Sequence, residues 1–385
     1  MGVIERRSPG LKPPKTEQVD RSKTMKAPTE TPPFTLKDLK NAVPAHCFER
    51  SFLKSTLYLI WDLLMVVALL LVAIWVYNAG LPWYVQVLFW PAYWFCQGCV
   101  LFGVWIVAHE CGHYSYCDSK AICDWLGLVL HTVLLVPYHS WRISHSHHHR
   151  NTNRMDGDEA FVPNTRTLLE KEDDLEFPNV FRRFYHLVKY LTIGWPAYLF
   201  FHARGRPYLK HVNHFNPSAP IFKKKEFWDV VISDVALALW VGFLVYLSVN
   251  TSLISVLVIY GVPYLVVNMW LVIVTYLQHT DITVPHYDDQ EWTWLKGALC
   301  TIDRDYGLLN TIFHNLTDAH VAHHLFSYMP HYHIKEATEA IKPILGKYYN
   351  YDPTPVWQAL WKSDSYCRFV EDFGGVRWYK AYKHE

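Results

Sequence analysis

Two neighbouring apolar stretches decide what kind of protein this chain forms. Residues 57–77 read LYLIWDLLMVVALLLVAIWVY, residues 83–108 read WYVQVLFWPAYWFCQGCVLFGVWIVA, and only the uncharged segment NAGLP separates them. A membrane-spanning helix needs about 20 predominantly apolar residues. Each stretch is therefore predicted to cross a bilayer, and the short connection makes the pair a tight helical hairpin.

A second pair of apolar stretches occurs later in the chain. Residues 228–249 and 253–277 are separated only by NTS and form a second predicted hairpin. Of the 385 residues, 51% are hydrophobic and 18% charged, which excludes disorder and a small disulfide scaffold. The formal net charge of +1 gives no reason to expect nucleic acid as a partner. We therefore predict an all-α integral membrane protein with four transmembrane helices in two hairpins.

The remaining segments are assigned by their polarity and charge. Residues 1–33 are rich in Pro, Lys, Thr and Glu, so we expect a flexible cytosolic tail ahead of one membrane domain at 34–385. The shorter, interrupted apolar stretches 122–138 and 184–201 are expected to be interfacial helices. Residues 1–54 hold 11 Lys and Arg, and both hairpin turns are uncharged. The positive-inside rule then predicts cytosolic termini and cytosolic regions at 109–227 and 278–385.

Two kinds of residue in or beside the spans are expected to have structural rather than chemical roles. Asp62, Asp229 and Asp234 fall near the cytosolic ends of their spans, where we expect polar side chains that water reaches. The eight Cys form no framework of regular spacing, and the one C-x-x-C, at Cys96 and Cys99, lies in an apolar run. We expect eight free thiols in a reducing compartment.

Histidine is the residue that points to chemistry. The chain has 22 His, and three groups read HECGH at 109–113, HSHHH at 145–149 and HVAHH at 320–324. Residues three and four apart share one face of a helix, so each group can direct two or three imidazoles at one point. The candidate catalytic and metal-binding residues at these spacings are His109, His113, His145, His148, His149, His320, His323 and His324.

The predicted topology brings these groups to one side of the membrane. His109 follows the second span, His145 precedes the third, and His320 lies beyond the fourth. His279 leaves the fourth span at the same membrane edge and is a ninth candidate metal ligand. Imidazole binds Zn, Cu, Fe and Ni, so the ligand type does not name the metal. Eight or nine ligands exceed what one ion can use, and we expect two ions.

Other residues near the histidines are expected not to bind the metals directly. Cys111 and His147 should point away from the helix faces that carry the ligands. Carboxylates can orient ring N–H groups of metal-binding histidines, and the candidates for this part are Glu110, Asp158, Glu159 and Asp318.

An all-histidine, two-metal centre at a membrane surface favours redox chemistry on a lipid, because hydrolysis would not require so hydrophobic a body. Breaking an unactivated C–H bond of an acyl chain needs O2 activated by a redox metal, so iron is the best candidate. Aromatic residues, 16% of the chain, could line a narrow dry channel for the acyl chain. A His-rich metal transporter is the alternative class, but it would place ionisable ligands near the bilayer midplane.

The motifs around the histidines resemble those of the membrane fatty-acyl desaturases, and among them the oleate delta-12 (omega-6) desaturases of the endoplasmic reticulum. The likeness covers residues 32–370 approximately. It includes AHECGH at 108–113, LVPYHSWR at 135–142, DEAFVP at 158–163, YLQHT at 276–280, DRDYG at 303–307, HVAHHLFS at 320–327 and MPHYH at 329–333.

The resemblance implies a cytosolic helical cap holding a histidine-rich di-iron site, with the eight box histidines and His279 as ligands and His314 as a supporting residue. It implies that O2 is a co-substrate and that electrons come from cytochrome b5 and its NADH-dependent reductase. The implied reaction inserts a cis double bond at the delta-12 position of oleoyl chains, giving linoleoyl chains. The expected partners are an acyl lipid such as oleoyl-phosphatidylcholine, cytochrome b5 and the lipids of the endoplasmic reticulum membrane.

Two positions depart from the family pattern. Tyr114 stands where a third His often follows the first box, and Asp281 stands where another His often follows QHT. The related outcomes of an omega-3 desaturase, a 12-hydroxylase, an acetylenase or a conjugase therefore remain alternatives to delta-12 desaturation.

Overall fold

The computed structural model describes residues 26–171 and 180–381, so most of the predicted N-terminal tail lies outside the described residues. Its α-helices are α1 (Leu36–Ala42), α2 (Phe52–Asn78), α3 (Trp83–Gly112), α4 (Lys120–Val133), α5 (Tyr138–Asn151), α6 (Arg166–Lys171), α7 (Val180–Phe201), α8 (Phe227–Asn250), α9 (Leu253–Val256), α10 (Val262–His279), α11 (Trp294–Ala298), α12 (Leu308–Ile312), α13 (His320–Leu325), α14 (His331–Leu345) and α15 (Val356–Tyr366).

Little else in the described part is regular. Three 3-10 turns lie at Ala45–Phe48, Lys224–Glu226 and Gly346–Tyr348, and a π-helical turn lies at Leu257–Gly261. The four strands have two residues each and are β1 (His286–Tyr287), β2 (Asp303–Arg304), β3 (Tyr351–Asp352) and β4 (Val376–Arg377). β1 pairs antiparallel with β4, and β2 pairs parallel with β3. The fold is helical, as predicted.

Four helices of the described chain are long and apolar enough to cross a membrane, in agreement with the predicted helical membrane fold. They are Phe52–Asn78, Trp83–Gly112, Lys224–Asn250 and Leu253–His279, the last made of α9, the π-helical turn and α10. Each contains its predicted apolar stretch and extends beyond it, because backbone hydrogen bonding continues into polar residues. α3 therefore includes His109, and α10 ends on His279.

The two helices of each hairpin contribute unequally to the interior. α3 and α10 pack against each other, with Phe102 and Ile106 of α3 and Ile273 of α10 fully buried. In the most apolar stretches of α2 and α8 only 22% and 17% of residues are buried, against 44% and 39% in the other two spans. α3 and α10 thus form the centre of the membrane part, whereas α2 and α8 present apolar side chains outward.

Both segments predicted to be interfacial form helices. α4 and α5 are together apolar enough for one further span, but they meet at a bend of 107°. α7 packs against α10, burying Leu187 and Trp195 while Phe184 and Phe201 are exposed. Exposed aromatic side chains on a helix whose other face is buried are compatible with a position along a membrane surface. The interfacial position of α4 and α7 stays a prediction.

The N-terminal segment packs against the part of the chain that follows α10. Leu39 of α1 and Cys47 of the first 3-10 turn are fully buried in one hydrophobic cluster with Phe326, Ile334 and Ile341. This cluster joins residues 34–48 to α13 and α14. The segment between the predicted tail and the first span is therefore an integral part of the cap.

One expectation about the spans is wrong. Asp62 is only 2% exposed, and its Oδ2 lies 2.7 Å from Nε2 of His314. The segment that carries His314 can approach the spans because Gly103 of α3 has no side chain; a Cβ there would lie 2.7 Å from the carbonyl oxygen of Ile312. The hydropathy of α2 cannot reveal a partner 252 residues away. Asp229 remains partly exposed, and all eight Cys are free thiols, as predicted.

Candidate metal centre

The three histidine groups all lie on helices, as their spacing predicted. The first ends α3, the second lies on α5, and the third forms most of α13. Helical geometry brings residues four apart together, so the Nε2 atoms of His109 and His113 are 3.2 Å apart. The Nε2 atoms of His145 and His149 are 3.1 Å apart for the same reason.

Five imidazoles from three helices converge on one point. We call this the five-histidine cluster, and it consists of His109, His113, His145, His149 and His323, whose ligand nitrogens all lie within 4.8 Å of one another. The Nε2 atoms of His145 and His113 are 3.0 Å apart. Two imidazole nitrogens bound at about 2.1 Å and at right angles to each other would be about 3.0 Å apart. The spacing is therefore suitable for binding one ion.

A second group lies beside the first. His148, His279 and His324 have ligand nitrogens within the same 4.8 Å limit. His320 joins them because its Nε2 is 3.0 Å from Nε2 of His279, and we call the four residues the four-histidine cluster. The two clusters together include all nine candidate ligands, and the division into two sets agrees with the expectation of two ions.

Burial favours the neutral form of six of the cluster rings. It lowers the pKa of His113 from 6.5 to about 3, with a smaller contribution from the nearby His148. A neutral imidazole offers its lone pair to a metal ion without first losing a proton. Burial, reinforced by neighbouring imidazoles, also lowers the pKa well below 6.5 in His145, His149, His320, His323 and His324.

Asp158, one of the carboxylates predicted to orient a histidine ring, contacts the four-histidine cluster. Its Oδ1 is 2.6 Å from Nδ1 of His148, and its Oδ2 accepts the backbone N–H of Asn153. A carboxylate that accepts the Nδ1–H of a histidine fixes the ring so that Nε2 faces the metal. Nε2 of His148 indeed points at His279, 3.4 Å away.

Glu110 is the corresponding carboxylate of the five-histidine cluster, but its contact is longer. Its Oε1 is 3.4 Å from Nδ1 of His109. Its Oε2 accepts hydrogen bonds from the Ser115 hydroxyl, at 2.8 Å, and from the backbone N–H of His331, at 3.0 Å. Glu110 therefore links the first box to the start of α14 more firmly than it orients His109.

The other predicted residues lie away from the clusters. Glu159 accepts hydrogen bonds from Arg206 and Tyr208, and Asp318 pairs with Lys335. His147 has its Nδ1 4.0 Å from Glu159 and belongs to neither cluster, as predicted.

His314 reaches the clusters only through intermediates. Its Nε2 pairs with Asp62, and its ring packs against His331 with the ring centroids 4.5 Å apart. His331 in turn donates its backbone N–H to Glu110, which lies beside His109. His314 is therefore part of a buried polar network beneath the first box, and its supporting role stays a prediction.

Sequence reasoning missed two residues that hold ligands in place. Asp303 accepts the backbone N–H of Val321 at 2.8 Å and the hydroxyl of Tyr349 at 2.7 Å, which fixes the first turn of α13. Burial raises the pKa of Asp303 to about 7. Thr152 has its hydroxyl 3.2 Å from Nδ1 of His324. The DRDYG motif marked Asp303 in the sequence, but only the tertiary structure reveals its contact with α13.

The two departures from the family pattern have structural partners. The Tyr114 hydroxyl accepts a hydrogen bond from Arg142 at 2.8 Å and donates to Asp124 at 3.3 Å. Asp281 is buried and lies 3.2 Å from Arg304, which holds it beside the end of α10. Neither substitution displaces any of the nine candidate ligands.

A cavity of about 260 Å³ reaches both clusters. His109 and His145 of the five-histidine cluster line it, as do His148, His279 and His320 of the four-histidine cluster. The rest of the lining is largely apolar, and its aromatic members are Trp105, Trp141, Phe161, Tyr190, Trp195 and Tyr198. The cavity is thus a largely apolar, aromatic-walled space that ends at two potential metal sites.

The comparisons with known proteins identify the class of protein. A family model described as fatty acid desaturase matches residues 88–355. The chain belongs to this family of membrane oxidoreductases.

Individual relatives extend the likeness over nearly the whole chain. The Delta(12)-acyl-lipid-desaturase of Punica granatum is 47% identical over 94% of this chain and 95% of its own length. The endoplasmic reticulum isozyme 1 of the omega-6 fatty acid desaturase of Glycine max is 47% identical, covering 95% of each chain. The Acyl-lipid (9+3)-(E)-desaturase of Dimorphotheca sinuata is 44% identical over 95% of this chain and 96% of its own.

Proposed function

We propose that this protein is an acyl-lipid delta-12 desaturase, which converts oleoyl chains to linoleoyl chains. The observation that carries the proposal is the apolar cavity that reaches both histidine clusters. A fatty acyl chain is the substrate that suits such a space, because it is long, apolar and without groups that need hydrogen bonds. The relatives named for delta-12 or omega-6 desaturation support the position of the double bond.

The nine cluster histidines are proposed to hold two iron ions, one in each cluster. The donor set fits, because most of the rings are buried, burial favours the neutral form of rings such as His113, and neighbouring Nε2 atoms are 3.0–3.4 Å apart. Bound iron supplies, with O2, the oxidising power needed to break unactivated C–H bonds. Removing two hydrogens from the chain while reducing O2 to two waters also consumes two electrons and two protons, so an electron donor is required.

The protein's own side chains would position the substrate and exclude water. Trp105, Trp141 and Trp195 form a wall of the cavity next to His109 and His145. The rings of Trp141 and Trp195 each pack edge-to-face against the ring of Trp105, and all three are almost completely buried. Rigid aromatic walls hold an acyl chain in one path, which is how a site can select one C–C bond among many similar ones.

The proposed setting is the membrane of the endoplasmic reticulum, with both termini and the histidine clusters on the cytosolic side. The four membrane-capable helices and the Glycine max relative named for the endoplasmic reticulum support this setting. Cytochrome b5, reduced by its NADH-dependent reductase, is proposed as the electron donor, and oleoyl-phosphatidylcholine as the acyl carrier. The basic N-terminal region supports the orientation.

A second candidate outcome is desaturation with the opposite double-bond geometry. The Dimorphotheca sinuata relative is named for an (E) product and is nearly as similar to this chain as the other two. Hydroxylation, acetylenic bond formation, conjugation and omega-3 desaturation would use the same clusters and cavity. A change of product needs only a different position of the chain relative to the metals, so product analysis must distinguish these outcomes.

The deciding experiment is expression in a eukaryotic host that makes oleate but no polyunsaturated fatty acids. Fatty-acid methyl esters are then analysed by gas chromatography with mass spectrometry, including derivatives that locate the double bond. We expect new linoleate with a cis bond at delta-12. A trans, hydroxylated, acetylenic or conjugated product would replace the proposed outcome, and an unchanged profile with well-expressed, metal-loaded protein would contradict the proposed substrate.

A further inference from the structure

A third group of metal-type ligands lies outside both histidine clusters. His46 and Cys47 belong to the 3-10 turn Ala45–Phe48, and His333 and Glu336 lie in the first turns of α14. One ligand atom from each residue lies within 4.8 Å of the ligand atoms of the other three. We call these four residues the mixed-ligand group.

The distances within the mixed-ligand group approach those around a tetrahedral ion. Sγ of Cys47 is 3.6 Å from Nε2 of His46, and Nε2 of His46 is 2.9 Å from Oε2 of Glu336. Around tetrahedral zinc, sulfur and nitrogen ligands would be about 3.6 Å apart, and nitrogen and oxygen ligands about 3.3 Å apart. Only a small outward movement of the exposed Glu336 side chain would admit an ion.

The local structure explains why these residues meet. His333 and Glu336 are three residues apart on α14 and therefore share a face. Cys47 is fully buried in the hydrophobic cluster that joins residues 34–48 to α14, so its sulfur is held at the base of the group. The side chains of His46 and Glu336 are about half exposed, which gives an ion access from solvent.

The charges of the group are suitable for a divalent cation. A Cys47 thiolate and the Glu336 carboxylate together would neutralise a charge of +2. A nearby cation is the ammonium of Lys54, which lies over the ring of Tyr332 at 4.2 Å from its centroid. Imidazole, thiolate and carboxylate all bind zinc, and four protein ligands complete its tetrahedral coordination.

We propose that His46, Cys47, His333 and Glu336 bind one Zn²⁺ ion that fastens the N-terminal segment to α14. On binding, the Cys47 thiol releases its proton to solvent, and the hydrogen bond between His46 and Glu336 is replaced by two bonds to the metal. The ion neither gains nor loses electrons. With four protein ligands the ion has no open position for a substrate, so its role is structural.

The position of the site connects it to the five-histidine cluster. α14 begins with His331, whose backbone N–H donates to Glu110 beside His109. His333 is two residues further along the same helix. An ion that holds α14 against residues 34–48 would therefore also steady the carboxylate beneath the first box.

Cobalt provides a probe that separates this site from the histidine clusters. Both clusters have only nitrogen ligands, whereas Co²⁺ bound to Cys47 would give a sulfur-to-cobalt charge-transfer band in the near ultraviolet. The full-length protein, purified in detergent, is titrated with Co²⁺. We expect the band in the parent protein, its loss in Cys47→Ser, and its retention in the control Cys96→Ser, which replaces an exposed thiol.

Zinc affinity tests two of the other three ligands. Displacement of Co²⁺ by Zn²⁺ should abolish the band, and Glu336→Gln or His46→Ala should weaken zinc binding at least about tenfold. Both side chains are half exposed, so these two variants should fold even if Cys47→Ser does not. Unchanged size-exclusion elution checks that they do.

Any of three results would overturn the proposal. The parent protein could lack the band, or the band could persist in Cys47→Ser, which would assign it to other thiols such as the close pair Cys117 and Cys123. Unchanged zinc affinity in both His46→Ala and Glu336→Gln would also exclude the site. Because the readout is a spectrum and not turnover, the result is independent of whether the protein desaturates oleoyl chains.

Discussion

The two histidine clusters are assembled in different ways. In the five-histidine cluster four of the five rings come from helical pairs, His109 with His113 and His145 with His149. The four-histidine cluster contains one such pair, on α13, and takes its other two rings from α5 and α10. The five-histidine cluster is therefore largely specified by local helix geometry, whereas the four-histidine cluster depends on how separate helices pack.

The side chains that contact the histidine rings also differ between the two clusters. In the four-histidine cluster Asp158 is 2.6 Å from His148, and Thr152 is 3.2 Å from His324. In the five-histidine cluster the carboxylate of Glu110 is 3.4 Å from His109. A cluster built by tertiary packing needs its rings fixed by neighbours, because the backbone alone does not align them. We therefore expect the four-histidine cluster to be more sensitive to changes outside its rings.

The largest effect should come from removing a ring in either cluster. His148→Ala and His113→Ala should each abolish turnover, because both ions are proposed to be needed. The matched control is His147→Ala, which removes a histidine of the same helix that lies outside both clusters. Linoleate formed in the oleate-making host is the measurement. Substantial activity in either cluster variant would show that the ring is dispensable.

The next largest loss of activity should come from filling the cavity, which reaches both clusters. Ala197→Phe places a bulky ring in the cavity without touching a ligand. Displacement of the acyl chain by about 1 Å can cost about 100-fold in rate, so we expect a loss of that order with unchanged metal content. Leu239→Phe, on the exposed face of α8, should have little effect. A parallel loss of metal would instead indicate that the cavity wall supports the clusters.

Neutralising the two carboxylates should lower metal affinity to different extents in the two clusters. Asp158→Asn should lower the metal affinity of the four-histidine cluster about 10–100-fold, the usual cost of losing a carboxylate that orients a ligand. Glu110→Gln should cost less, because its contact with His109 is longer. Retention of metal against a graded chelator is the measurement, with Asp118→Asn, at an exposed site, as control. Equal losses would remove the distinction between the clusters.

Acid should have little effect on either cluster until the pH is low. Because burial lowers the pKa of rings such as His113, His145 and His320 below 6.5, protons do not compete with the metal at these rings near neutral pH and begin to do so only as the pH falls towards the lowered values. Metal content should therefore be constant between about pH 8 and pH 6 and decline in stronger acid. Half-loss near pH 6.5 would mean that the rings titrate as exposed histidines do.

The sequence was sufficient to predict what depends on local patterns. Long apolar runs separated by short polar turns predicted both hairpins, and the i, i+4 spacing predicted which histidines share a helix face. His279 could also be found, because the end of an apolar run placed it at the membrane edge. These features depend only on residues close together in the chain.

The sequence could not predict which histidine joins which cluster, because that depends on tertiary packing. His148 and His149 are adjacent, but neighbouring helical residues point about 100° apart, and the two rings join different clusters. Which ring joins which cluster depends on the positions of α10 and α13. In the same way, the burial of Asp62 against His314 is determined by packing between segments 252 residues apart.

The most direct test of the account is the iron content of the purified protein and of one variant from each cluster. The parent protein, His113→Ala and His148→Ala are loaded with Fe²⁺ under identical conditions and analysed by inductively coupled plasma mass spectrometry. We expect two iron ions per chain in the parent protein and one in each variant. One iron ion in the parent protein, or two retained in both variants, would contradict the assignment of a separate ion to each cluster.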